Sequence, residues 1–546
     1  MYAVVLKVFS LSPATVSAVR ILALAVAVSV WAGAAASEAA AGTFAPAIPS
    51  GQALTQLAAA DDALVALTND PLAARLVRAR GGRLVSSQLR IWSLSGAAAA
   101  RLVPQLEGGG SLRYAEPSRR RDSLVRFTDP LSTPDLSYHL RTIGADRAEP
   151  PGPGFPITIL DSGIDLGHPD FAARPNTVLL NTQFVSGPDG DDYHGTEVAS
   201  IAAAAVNGVG GEGVYPQARI RIYDVRDELD DDSVIAGIEA AIAAGPSVIN
   251  LSLGGPGNSR SLYEATLRAL ATGSLVVASS GNERDLGNPT IYPAAYPHVL
   301  TVGASDRASR PTDFSSSGPA VDLTAPGEEL PFQDPLDPAN HYLVAGTSFS
   351  APMVAAAAAW IRTVRGAMSV GQLADLLRFS ARDLAQPGYD ERTGYGVLDI
   401  PAALAAPLPP RDPQEPNDDI SQLVVGGVFA TAKPFVSARF AAALDVIEDP
   451  RDVYRVSLPR GRTLTARVAT DDDVRVALFG PTATSAVGAR GRLATTDRAG
   501  SQPETVRYAN RTGRSLVLFL AVAPGRSLTI ANPSYRVELT VAPVPR

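Results

Sequence analysis

The chain has 546 residues, room for about three or four domains, and 46% of its side chains are apolar, enough to pack cores and to exclude a disordered chain. A net charge of −8 argues against a general nucleic-acid surface. The absence of cysteine excludes disulfides, thiol nucleophiles and thiolate metal sites.

Lys7 and Arg20 precede the apolar run Ile21 to Ala36, which closes on Gly33-Ala34-Ala35-Ala36, a small-residue pattern suited to signal peptidase. The run is shorter than the roughly 20 residues a spanning helix needs. Residues 1–36 therefore read as a signal peptide, and the mature chain as exported and without a membrane span. Residues 37–60, rich in Ala, Ser and Pro, read as an unstructured low-complexity spacer. Over 61–121 the pattern is β-α-β-α-β. It consists of a strand at Ala63 to Leu67, a helix from Pro71 to Arg80 stopped by Gly81-Gly82, and a strand region from Arg83 to Leu94. A helix from Ala97 to Leu106 stopped by Gly108-Gly109-Gly110 and a strand at Leu112 to Ala115 complete it.

Residues 122–405 alternate strand and helix signals. The strands are Ile157 to Leu160, Arg219 to Tyr223, Ser247 to Leu253, Ser274 to Ser279 and Val299 to Ala304; the helices are Ser233 to Ala244 and Ser261 to Ala271. This alternation predicts an α/β domain with a parallel sheet, whose ligands bind at the carboxyl ends of the strands. Asp161, Ser252 and Asn282 fall at such ends. Ser348, in Gly346-Thr347-Ser348-Phe349-Ser350-Ala351-Pro352, precedes the Ala-rich run to Ile361 and is expected at a helix N-terminus, where unpaired N–H groups favour developing negative charge. A serine hydroxyl needs a base. Of five histidines, His194 stands out in His194-Gly195-Thr196-Glu197, and Asp161 opens Asp161-Ser162-Gly163-Ile164. The order is Asp, His, Ser. Residues 406–416, with Pro407-Leu408-Pro409-Pro410, form a stiff extended linker, and 417–546 carry short alternating strands separated by turn residues, as in an all-β sandwich.

Four blocks resemble the subtilisin-like serine proteases: Asp161-Ser-Gly-Ile with His168-Pro-Asp, His194-Gly-Thr, Ser279-Ser-Gly-Asn282-Glu, and Gly346-Thr-Ser with Pro352. The Asp, His, Ser order is the one known for subtilisin. The unit at 61–121, with its Tyr-Ala-Glu-Pro ending, resembles an inhibitor-type propeptide, and Glu415-Pro-Asn-Asp-Asp with Asp452-Val-Tyr454 resembles the sandwich that follows secreted bacterial peptidase domains.

The resemblance implies a secreted endopeptidase acting on protein or peptide substrates through an acyl-enzyme. Ser348 would be the nucleophile, His194 the base and Asp161 its orienting carboxylate. Asn282 would serve the oxyanion hole; Ser252, Leu253 and Gly254 would pair with the substrate backbone, and Glu283 would edge the pocket for the residue before the cut. No cofactor is needed for chemistry, the propeptide would be an intramolecular inhibitor, and a monomer is expected. Structural calcium is common in the family. Asn207 to Val214 partly resembles one of its loops, but no metal ligand is assigned. Arg119-Arg120-Arg121 reads as either a solvated linker or a processing site. The acidic stretch Asp227 to Asp232 is either a helix cap, at Asp232 or Ser233, with solvated neighbours, or a subsite selecting basic residues. Two departures from the family pattern are Glu197, where a second histidine is common, and Phe349, where a methionine usually follows the nucleophile. The rival readings are an inactive protease fold used as a binding module and an ester hydrolase. The latter carries Gly-x-Ser-x-Gly and the order Ser, Asp, His, which Ser348 does not fit.

Overall fold

The computed structural model describes residues 51–60, 62–118, 129–171, 174–181, 193–225, 229–335, 337, 340–384, 387–424, 427–430, 432–446, 449–529 and 532–544. The signal peptide, most of the spacer, Arg119 to Arg121, and Asp227 and Glu228 lie outside them. Residues 51–118 belong to one compact unit and residues 129–544 to another.

The first unit contains α1 (Gly51–Ala59), β1 (Asp62–Leu67), α2 (Pro71–Ala79), β2 (Arg83–Ser86), β3 (Ile91–Ser95), α3 (Gly96–Gly108) and β4 (Leu112–Pro117). Its sheet has the order β2-β3-β1-β4, and its pairs are antiparallel. Two expectations are corrected. Residues 51–59 form a helix rather than spacer, because Leu54 and Leu57 share one face and Leu57 packs with Leu102 and Leu106 of α3. The single strand expected over 83–94 is a hairpin, turned at Arg90 with φ 51°, so the order is β-α-β-β-α-β.

In the second unit, α4 (Tyr138–Thr142) leads into β5 (Ile157–Asp161), β6 (Thr177–Leu179), α5 (His194–Ala203), β7 (Ile220–Asp224), α6 (Asp231–Ala243) and β8 (Val248–Leu251). Next come α7 (Arg260–Ala271), β9 (Leu275–Ser279), β10 (Val299–Ser305), β11 (Leu323–Pro326) and the hairpin β12 (Leu330–Gln333) with β13 (His341–Val344). The long helix α8 (Thr347–Arg365), α9 (Val370–Ser380) and α10 (Ile400–Ala405) follow. A seven-stranded parallel sheet has the order β11-β10-β9-β8-β5-β7-β6. Because side chains alternate along a strand, β5 sends Ile157 and Ile159 into the core shared with α5 and α8 and Leu160 into the core beneath α6 and α7. Helix α8 packs across β8, β9 and β10, with Ala355 to Ala359 fully buried; small side chains let its backbone approach the sheet. Asp230, not Asp232 or Ser233, caps α6, accepting from Ser233 N at 3.1 Å, and Asp231 and Asp232 fill the first turn, where the helix dipole favours acids.

The sandwich has two four-stranded antiparallel sheets over one core. It is formed by β14 (Ala438–Ala443), β15 (Asp452–Leu458), β16 (Arg462–Thr470), β17 (Val474–Phe479), β18 (Arg492–Thr496), β19 (Glu504–Ala509), β20 (Leu516–Pro524) and β21 (Ser534–Pro543). The sheet orders are β14-β21-β16-β19 and β15-β20-β17-β18. The Pro-rich segment is seated rather than free. Pro409 O accepts from Gln372 Nε2 at 2.7 Å, and Gln414 Oε1 accepts from Arg455 N at 3.0 Å.

The sheet order reverses between β5, whose connection runs toward β6 and β7, and β8, whose connection runs toward β9. A crevice therefore opens at the carboxyl ends of these two neighbours. The start of α5 is pressed against the chain leaving β5. A Cβ on Gly195 would lie 2.2 Å from Gly163 O, Gly195 N donates to Ser162 Oγ at 3.1 Å, and Asp165 N donates to Thr196 Oγ1 at 2.9 Å. Gly195→Ala is expected to destabilise the domain by about 1–3 kcal/mol through overpacking against backbone. Urea unfolding, followed in a Ser348→Ala background to prevent autolysis, measures this; unchanged stability would show that the approach is not tight.

Candidate active site

Asp161 ends β5 and is 3% exposed. Its Oδ1 lies 2.7 Å from His194 Nδ1 and also accepts from Ser162 N at 2.9 Å; Oδ2 is buried with no hydrogen-bond partner among the described residues. The first contact fixes the imidazole tautomer, since an Nδ1–H facing the carboxylate leaves Nε2 as the acceptor. His194 is the first residue of α5, with its side chain 23% exposed. Its ring stands 5.7 Å from that of Phe349, which is buried and adjoins Ser348, so the base sits beside the start of α8.

Ser348 is the second residue of α8. Among the described residues its Oγ makes only a long contact, 3.4 Å, to Ser252 O, whereas its own carbonyl accepts from Ser252 Oγ at 2.7 Å. Asn250 Nδ2 donates to Ser252 Oγ at 2.9 Å, so a buried polar chain ties the end of β8 to the first turn of α8. Gly346, at φ 150°, opens this turn; a Cβ there would lie 3.4 Å from Asn282 Nδ2.

Asn282 follows β9. Its Oδ1 accepts from Thr347 N at 2.9 Å and Thr347 Oγ1 at 3.0 Å. Because a backbone N–H can only donate, the oxygen must face Thr347, and the amide NH2 is the end left for an external acceptor. Thr347 is the functional residue that sequence reasoning passed over. It lies inside the Gly-Thr-Ser block, and its part becomes visible only when β9 and α8 come together.

The structure brings Asp161, His194, Ser348 and Asn282 to the crevice between β5, β8 and β9, and Ser252 with them. Leu253 has its side chain in the core below α6 and α7, so only its backbone can meet a substrate, while Gly254 is exposed. Glu283 is turned back: its Oε2 accepts from Asn282 N at 2.7 Å, and its N donates to Ser316 Oγ at 3.2 Å. Its carboxylate thus braces the Asn282 backbone. Glu197, buried one turn after His194, accepts from Tyr342 OH at 2.8 Å, a structural contact that accounts for an acid at this position.

A family model described as the subtilase family matches residues 152–396. The chain is 35% identical over 257 residues to subtilisin of Bacillus pumilus, an alignment covering 46% of this chain and 91% of that protein. It is equally identical over the same length to subtilisin amylosacchariticus of Bacillus subtilis subsp. amylosacchariticus, of whose length it spans 66%. Among solved structures, fervidolysin from Fervidobacterium pennivorans, titled a keratinolytic enzyme related to subtilisin, is similar with a TM-score of 0.48 and 21% identity, covering 82% of this chain and 84% of that one. Similarity over nearly the full length of the Bacillus pumilus protein places the chain in the subtilase family.

Proposed function

We propose that this chain is an exported serine endopeptidase that hydrolyses peptide bonds through an acyl-enzyme on Ser348. The observation that carries the reading is the Asp161–His194 contact at 2.7 Å beside the start of α8. In this reaction Ser348 Oγ attacks the scissile carbonyl while His194 Nε2 takes its proton. The imidazolium formed is stabilised by the buried Asp161 carboxylate. The oxyanion is met by Asn282 Nδ2–H and the Ser348 N–H at the helix start, donors already oriented before charge develops. His194 then gives the proton to the departing amine, the C–N bond breaks, and a water activated by the same imidazole releases the acid and restores the serine. The exposed backbone at Gly254 suits pairing with an extended peptide, which favours broad specificity. No observation favours the binding-module reading over this one.

The N-terminal unit is read as the intramolecular inhibitor, supported by its β-α-β-β-α-β order. Export rests on residues 1–36; among the described residues no helix is long and apolar enough to cross a membrane. The structural calcium that the family implies would be held near Asn207 to Val214. Asp129 Oδ1 accepts from Asn207 N at 3.1 Å and Gly208 N at 2.5 Å, while Asp129 Oδ2 and Asp170 Oδ1 are buried without hydrogen-bond partners among the described residues. A Cβ on Gly210 would meet Asp170 Oδ1 at 2.0 Å. Asp129 and Asp170 would hold the ion, with a structural and not a chemical part.

Kinetics on a chromogenic peptide test the proposal. Ser348→Ala is expected to lower kcat by about 10⁶-fold. Asn282→Ala should lower kcat by about 10²–10³-fold with little change in KM, a size borrowed from the corresponding asparagine of a subtilisin, a relative of this chain. Retained hydrolysis in Ser348→Ala would overturn the reading. Phe349 predicts a second behaviour: lacking a thioether beside the nucleophile, the enzyme should keep its activity in peroxide, and Phe349→Met should lose it as the sulfoxide forms. Rapid inactivation of the parent with Met353 and Met368 still unoxidised would contradict this.

A further inference from the structure

The two sheets of the sandwich present unlike outer faces. The outer side of β15-β20-β17-β18 is covered, with Val453, Phe519 and Ala521 buried in a core shared with Ile420 and Leu423. The outer side of β14-β21-β16-β19 is open. Strand alternation sends Ala466, Val468, Val506 and Val537 into the sandwich core and points Arg467 of β16, Arg507 of β19 and Arg536 of β21 outward, where all three are exposed. Register lines them up. Arg507 lies opposite Thr465 and Arg536 opposite Ala469, the residues two before and two after Arg467. Arg467 is therefore the diagonal neighbour of both, about 7–8 Å from each, in a row about 15 Å long. Glu538, the one acid among the outward positions of these strands, accepts from Arg439 Nε at 3.0 Å. Arg467, Arg507 and Arg536 make no ion pair and no side-chain hydrogen bond among the described residues. The row also stands out against its surroundings. Basic side chains outnumber acidic ones over 417–546 although the whole chain carries −8, and Asp452, Asp472, Asp473 and Glu504 of the sandwich are buried.

We propose that this open face binds an acidic polysaccharide, whose anionic groups meet Arg467, Arg507 and Arg536 in turn. A face that serves solubility alone interleaves both signs, whereas a row of like charges complements an extended partner whose own charges repeat. The guanidinium fork suits carboxylate and related oxyanions. Between and beside the arginines stand Thr465, Thr505, Thr540 and Ala469, short side chains that leave the face flat and offer hydroxyls to the hydroxyls of a sugar chain. The outward positions of the four strands carry no aromatic ring on which a base could stack, which argues against single-stranded nucleic acid. Nor do they carry the large apolar side chains that bury a protein face in a lipid interface. The sandwich thereby fastens the catalytic domain to an acidic glycan. The inference goes beyond the peptidase reading and does not depend on it.

The test uses the full chain carrying Ser348→Ala, passed over surfaces bearing polygalacturonate, heparin or neutral dextran, with affinities read by surface plasmon resonance. Binding to one or both acidic polymers and not to dextran is expected, weakening as salt is raised. Arg467→Thr and Arg507→Thr should each lower the affinity about fivefold, the size of one cationic contact with an anionic surface, and together about 25-fold. Arg475→Thr makes the same change of charge at an exposed position of β17, in the other sheet, and should leave the affinity unchanged. Vesicles containing phosphatidylserine and single-stranded DNA are run beside the polysaccharides. Retention of the parent by neither acidic polymer would overturn the proposal. So would tighter binding to the vesicles or the DNA than to either polymer, or an equal loss in Arg475→Thr, which would reduce the effect to net charge.

Discussion

The hydrogen bond from His194 to Asp161 is the constraint on which the rest of the active centre depends. It forms only if the first turn of α5 reaches the end of β5, and Gly195 permits that by lying against Gly163 O with no Cβ between them. The bond then does two things. It supplies the buried Asp161 with a hydrogen-bond partner, and leaving a buried acceptor unsatisfied would cost about 1–3 kcal/mol, more for a charged group. It also fixes Nε2 as the accepting nitrogen of the imidazole. A packing requirement and a catalytic requirement are met by the same contact.

The parallel sheet explains why the other groups converge on that bond. The reversal of strand order at β5 and β8 leaves a crevice, and β8 and β9 deliver Ser252 and Asn282 to its edge. Helix α8 can bring Ser348 there only by running through the core, which is why its buried stretch is dominated by alanine. Thr347 joins the two systems: its backbone N–H and hydroxyl hold Asn282 Oδ1, so the first turn of α8 sets the direction of the Asn282 amide.

The meeting of Asp161, His194 and the start of α8 was legible because each sits in a short block at an element's end, where sequence spacing and position in the fold coincide. The sheet was legible from apolar strands alternating with helices. The edge strand β6 and the β12–β13 hairpin were not, being three or four residues long and dependent on neighbours for their pairing. Helix α1 was hidden by an Ala-rich composition that resembles a spacer until Leu57 is seen against α3. The bracing part of Glu283 was illegible because nothing in a Gly-Asn-Glu string says whether the carboxylate faces a pocket or folds back on the preceding amide. Arg467, Arg507 and Arg536 were likewise separated in sequence, each on a different strand. Only the folded sandwich makes them neighbours.

The linker region changes how the chain is viewed as an assembly. The proline-rich sequence reads as a stiff extended linker, and Gln372 and Arg455 anchor it on both sides. The central claim nevertheless concerns Ser348 as an activated nucleophile, and the most direct measurement is to treat the mature chain with a fluorophosphonate and map the adduct by tandem mass spectrometry. The account predicts a single adduct on Ser348, formed by the parent and lost in His194→Ala. A folded, mature chain that leaves Ser348 unmodified, or that reacts as fast without His194, would contradict it.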